Sequence, residues 1–146
     1  GSTVVAAGIS KSALYAFNVG DSRLYIVRDK LIQITKDHSL VEDEVAKGHI
    51  TRGSEEYKLN KKYITRAVGV EREVDVDIFE VELLEGDKIL LCSDGLSNMI
   101  DDKEIYDIIS KSESLETAVD TLIETANEKG GTDNISAILI NYEREV

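Results

Sequence analysis

Three aspartates stand where this chain can present a carboxylate at the rim of an apolar core. Asp94 follows Lys88-Ile89-Leu90-Leu91-Cys92-Ser93, a run too short for a helix and entered from Glu85-Gly86-Asp87. It reads as a buried strand that ends on an acid. Gly95 lets the backbone bend there and a ligand come close. Asp133 follows Gly130-Gly131 and precedes the apolar stretch Ile135 to Tyr142, so it opens a strand as Asp94 closes one. Asp21 lies in Gly20-Asp21-Ser22-Arg23, short enough for a hairpin turn at the same rim. A buried, ionised carboxylate must be paired, hydrogen-bonded or bound to a cation. With no His or Cys ligand nearby, these oxygens suit magnesium or manganese rather than zinc. Each aspartate alone reads as a turn former. Together, in glycine-flanked turns, they favour a metal site.

Other chemistry is weaker. Cys92 as a phosphatase nucleophile needs an anion-binding arginine close behind it, and Ser-Asp-Gly-Leu-Ser-Asn supplies none. It reads as a core residue. Asp75-Val76-Asp77 has the look of an aspartyl-phosphate motif, but Glu71-Arg72-Glu73 precede it where a buried strand should be. It reads as the solvent face of a strand. His38 and His49 read as a turn and a loop histidine rather than as acid or base, and no glycine-rich phosphate loop follows a strand.

The elements that must position the acids begin with period-two alternation. Strands are expected over Val4 to Ile9, Leu14 to Val19, Leu24 to Arg28 and Leu31 to Thr35, as an antiparallel meander. Ser39 with Glu42 makes a capping box for a short helix that ends at Gly48. Gly48 to Lys62 is polar and aperiodic, and reads as a mobile functional loop. Strand character returns at Tyr63 to Val68. Val74, Val76 and Ile78 alternate in one phase, and Phe79, Val81 and Leu83 in the other, which predicts a bulge at Ile78-Phe79 or a change of sheet. Helices follow from Asp101 and from Ser114, the second stopped by Gly130-Gly131. The last strand, apolar on both faces, is expected to be central.

Composition bounds the rest. One domain of 146 residues, 42% hydrophobic and 32% charged, fits a folded globular protein. A net charge of -12 disfavours nucleic acid as a partner. No apolar run is long enough for a membrane span. A single cysteine excludes an internal disulfide and suits a reducing, cytoplasmic compartment.

Four short motifs occur in one order and spacing: Gly20-Asp21-Ser22-Arg23, Asp37-His38-Ser39, Ser93-Asp94-Gly95-Leu96 and Gly131-Thr132-Asp133-Asn134-Ile135-Ser136. In these the chain resembles, over essentially its whole length, the bacterial metal-dependent protein serine/threonine phosphatases of type 2C. The resemblance implies an α+β fold, an α-β-β-α sandwich of two antiparallel sheets flanked by helices. It implies that Asp94 and Asp133 belong to a binuclear centre and that Asp21 joins Asp94 at a third, weaker metal, two or three Mn2+ or Mg2+ ions in all. Asn134, Gly95 and Ser93 would support them. Residues 45–62 would be the flap that contacts substrate, with Val45, His49 and Arg52 on it. The implied reaction is in-line attack on phosphorus by a metal-activated water, with no protein nucleophile. Phosphorylated proteins, among them a serine/threonine kinase, would be the partners in bacterial signalling.

The family's N-terminal Asp-Gly-Met-Gly-Gly and Asn-Glu-Asp type motifs and its phosphate-binding arginine are not in these residues. The expectation is therefore that residues 1–146 are the C-terminal part of one catalytic domain, inactive alone, with open sheet edges prone to self-association. The rivals are a non-catalytic, phosphatase-like regulatory or interaction module and a related enzyme dedicated to one stress regulator.

Overall fold

The computed structural model describes residues 1–144. Two antiparallel sheets face each other, with helices on one outer side. β1 (Val4–Ser10), β2 (Ala13–Val19) and β5 (Asp77–Glu82) form a three-stranded sheet in the order β1-β2-β5. β3 (Arg23–Val27), β4 (Leu31–Gln33), β6 (Lys88–Cys92) and β7 (Ala137–Asn141) form a four-stranded sheet in the order β4-β3-β6-β7.

The period-two pattern explains the layering. Along β3 and β6, Leu24, Ile26, Ile89 and Leu91 turn toward the other sheet and meet Leu14 and Ala16 of β2. Tyr25, Leu90 and Cys92 turn the other way. There they meet Leu96 of α3 (Asp94–Ser97), Ile105 and Ile109 of α4 (Asp102–Lys111) and Leu122 of α5 (Leu115–Glu128). Each of these buried aliphatic side chains contributes about 1.5–3 kcal/mol. Cys92 lies in this core, where burial pushes its thiol up to about 12. Asp101 and Ser114 cap α4 and α5 with their side-chain oxygens, as expected from their spacing.

Several expectations need correction. β2 and β3 do not form a hairpin: Gly20-Asp21-Ser22 carries the chain from one sheet to the other. Gly20 has φ +110, and a β-carbon there would sit 2.4 Å from Thr3 Cγ2, so the crossing has no room for a side chain. β5 pairs without a bulge from Asn18↔Asp77 to Ala13↔Glu82. Ile78 faces outward at 63% exposure with Glu80 and Glu82, so the strand has one phase, and Val74 and Val76 precede it. Tyr63 to Val68 makes only the isolated bridges Ser39↔Ile64 and Ser2↔Val68, because its backbone bonds are divided between two different segments. β7 is an edge strand of the described sheet, with Ile138 exposed. The strands apolar on both faces and central are β3 and β6.

The helix from Ser39 is α1 (Leu40–Ala46), but only half of the capping box forms. Ser39 Oγ accepts from the Glu42 N–H at 3.4 Å, while the Glu42 carboxylate turns away. The expected mobile loop contains a second helix, α2 (Glu55–Asn60), capped by Ser54. Its six residues bury none of their side chains, so no apolar stripe betrayed it. Among the described residues no helix is long and apolar enough to cross a membrane.

Candidate metal centre and substrate cleft

Ser93 is the hinge of the site. Its N–H donates to Ser136 O at 3.0 Å, and its Oγ accepts from the Ser136 N–H at 3.0 Å. Gly95 closes the same junction: a β-carbon there would lie 2.1 Å from Asn134 O. The end of β6 and the loop that enters β7 are thus pressed together, which puts Asp94 beside Asp133. Asp133 itself is exposed, and its Oδ1 accepts from the Asn134 N–H at 2.7 Å, which fixes the turn. Asn134 acts through its backbone in this arrangement.

Asp94 is shared by two carboxylate pairs. Burial first, and then the neighbouring Asp133, raise its pKa above the usual carboxylate value. On its other side lies Asp21, whose pKa is pushed up to about 6 by burial and then by Asp94 and Asp37. Carboxylates that repel one another in a half-buried rim favour a bound cation or a shared proton. Among the described residues no three His, Cys, Asp or Glu side chains enclose one point. The oxygens therefore fit hard cations as two open pairs, Asp21 with Asp94 and Asp94 with Asp133, rather than as a closed cage.

The crossing that carries Asp21 is braced by the second motif. The Gly20 N–H donates to His38 Nδ1 at 3.0 Å, and the His38 N–H donates to Gly20 O at 2.9 Å. An imidazole nitrogen that accepts from an amide carries no proton, so Nε2 bears it and donates to Asp77 Oδ2 at 2.8 Å. Arg66 Nη1 donates to Asp77 Oδ1 at 3.0 Å. Asp77 is therefore more than the solvent face of a strand. His38, expected only as a turn histidine, is a buried brace.

Arg23 and Asp37 stand inside the motifs, with no role expected of either from the sequence. Arg23 binds Asp37 through Nε at 2.9 Å and Nη2 at 2.7 Å, while its Nη1 donates to the Tyr25 hydroxyl at 2.9 Å. This wall separates two cavities. One, of about 160 Å³, contains Asp21 and Asp94 with Lys61, Tyr57 and Asn98. The other, of about 730 Å³, runs under α1 toward Val45 and Arg52. The opposite charges of Arg23 and Asp37 in neighbouring motifs were the signal available. Of the expected flap residues, Val45 and Arg52 line the larger cavity. His49 instead bonds Glu44 at 2.8 Å on the surface. Arg52 and the Tyr57 hydroxyl both bind Glu42, the latter at 2.6 Å.

Comparison with known proteins agrees with this frame. Residues 1–135 match the family Protein phosphatase 2C. The chain belongs to the protein phosphatase 2C family. It is 42% identical over 141 residues to the "Serine/threonine phosphatase stp" of Listeria welshimeri, covering 96% of this chain and 56% of that protein. The chain thus spans little more than half the length of such relatives. The solved serine/threonine phosphatase PstP/Ppp of Mycobacterium tuberculosis superposes with a TM-score of 0.88 at 34% identity, over 98% of this chain and 60% of its own. A PstP catalytic domain solved in complex with 2 manganese ions gives 0.78 at 38% identity, over 94% and 56%. The family accounts for the two antiparallel sheets with helices seen here.

Proposed function

We propose that the protein carrying this chain removes phosphate from phosphoserine and phosphothreonine in other proteins, using manganese or magnesium. The observation that carries this reading is Asp94 held between Asp21 and Asp133, in a chain whose relatives are named serine/threonine phosphatases. Asp94 and Asp133 would hold one part of the metal set and Asp21 with Asp94 another. Bound metal supplies a more acidic water and neutralises charge on the phosphoryl oxygens. The chain's own residues do the positioning: Ser93, Gly95 and the Asn134 backbone fix the spacing of Asp94 and Asp133, and His38 fixes the crossing that carries Asp21. The one cysteine is buried, so its thiol is not available to attack phosphorus.

The flap is read as the surface that meets the phosphoprotein, with Val45 and Arg52 toward the cavity. Signalling partners that include a serine/threonine kinase, a cytoplasmic location and self-association through the sheet edges all belong to this proposal. Intact carboxylates favour it over a non-catalytic module.

The test is manganese-dependent hydrolysis of p-nitrophenyl phosphate by the full-length protein and by this chain, each with Asp94→Asn as control. Turnover by the full-length protein, abolished by the substitution, supports the reading. Near-normal turnover of Asp94→Asn sinks the site assignment. No turnover by the 146-residue chain is the expected result for that part.

A further inference from the structure

The smaller cavity contains an imbalance of charge. Three carboxylates, Asp21, Asp37 and Asp94, line it together with two cations, Arg23 and Lys61. Arg23 is committed: Asp37 takes its Nε and Nη2, and the Tyr25 hydroxyl takes its Nη1. Lys61 Nζ enters no hydrogen bond or ion pair among the described residues, although the Lys61 backbone is firmly placed. Its N–H donates to Tyr57 O at 3.0 Å at the end of α2, and Tyr57 ties that helix to Glu42 at 2.6 Å. The adjacent Lys62 differs: it is exposed and lies over the Tyr63 ring at 5.3 Å.

We propose that Lys61 is the flap's phosphate receptor, a cation that binds the substrate's phosphoryl oxygens in the cleft beside Asp21 and Asp94. The idea rests on the phosphatase reading and deepens it, because it assigns one flap residue to the phosphate itself rather than to the surrounding peptide. The chemistry is simple. A phosphate dianion entering a cleft lined by carboxylates needs cationic donors, and an ammonium group offers three without fixed geometry. The plain alternative is a solvated lysine near the end of a short helix. That alternative does not explain why Lys61 lines the acidic cleft while Lys62 stays at the surface.

The experiment uses the manganese-loaded full-length protein with Lys61→Ala, Lys61→Arg and the surface control Lys62→Ala. KM and kcat on a phosphothreonine peptide are measured together with the inhibition constant of inorganic phosphate. Lys61→Ala should raise both KM and that constant about tenfold, the loss of one charge-assisted contact, with little change in kcat. Lys61→Arg should recover most of it, and Lys62→Ala should match wild type, all with unchanged melting temperatures. An unchanged phosphate constant in Lys61→Ala overturns the proposal, as does an equal effect of Lys62→Ala. If wild type shows no turnover, the phosphatase reading falls. Calorimetric binding of inorganic phosphate to wild type and Lys61→Ala then decides the lysine's role, with equal affinities rejecting it.

Discussion

Ser93 and Ser136 hold each other twice, through an amide-to-carbonyl bond in one direction and an amide-to-hydroxyl bond in the other, both 3.0 Å long. The second bond depends on a single oxygen. Ser93→Ala should leave the Ser136 N–H without its acceptor and cost about 1 kcal/mol in stability. Manganese affinity of the full-length protein should fall with it, because the clamp sets the spacing of Asp94 and Asp133. Urea unfolding and calorimetry check the two effects. A loss of stability with unchanged metal binding would separate the clamp from the site.

Gly95→Ala tests the same junction by overfilling it. The new methyl meets the Asn134 carbonyl oxygen at 2.1 Å, a backbone atom that cannot rotate away. A cost of about 3 kcal/mol is expected, at the upper end for overpacking. An urea midpoint within error of wild type would show that the turn opens freely.

Acid sensitivity should arise partly far from the site. Arg28 reaches Asp87 through Nε at 2.8 Å and Nη2 at 2.7 Å, and the Leu84 N–H donates to the same carboxylate at 2.8 Å. The guanidinium holds the Asp87 carboxyl below its ordinary value of 3.8. Since the folded-state pKa is the lower one, the stabilisation is complete above 3.8 and fades as pH falls through the folded value. Asp87→Asn should therefore cost about 2 kcal/mol at neutral pH and progressively less below about pH 4. Denaturant unfolding across this range measures it; a pH-independent difference would point to packing instead.

Glu42 latches α1 to α2 and the loop before it, accepting from both Arg52 and the Tyr57 hydroxyl. Glu42→Gln should change global stability by less than about 1 kcal/mol, because Arg52 is exposed. The peptide bond after Arg52 should nevertheless be cut faster by trypsin as α2 loosens. Equal cutting rates would show that this segment is held by other contacts.

The sequence revealed the cluster of Asp94 and Asp133 more readily than the layers around it. Glycines beside Asp94 and Asp133 were legible because tight turns need them, and the structure explains Gly95 by a backbone oxygen in its way. The crossing at Gly20 was not legible. A short polar turn between two alternating strands looks the same whether the strands pair or part, and the partners that decide it, β5 for β2 and β6 for β3, lie far along the chain. β7 misled for a related reason. Its apolar outward residue Ile138 resembles that of a central strand, yet no further strand of the described chain pairs beyond it. The helix α2 was hidden because its stability comes from Ser54 and from Tyr57 reaching Glu42, not from a buried face.

The bridge Ser39↔Ile64, together with the Leu40 N–H donating to Tyr63 O at 2.8 Å, brings the two ends of segment 40–63, which contains the expected flap 45–62, to one place. A segment that leaves and returns at a single doorway behaves as an exchangeable cassette, since closing it costs the scaffold little that depends on its contents. Residues 40–63 can accordingly diverge, lengthen or be exchanged while Asp21, Asp94 and Asp133 keep their spacing, so the surface this segment presents is free to change at its own rate, apart from the acidic cluster.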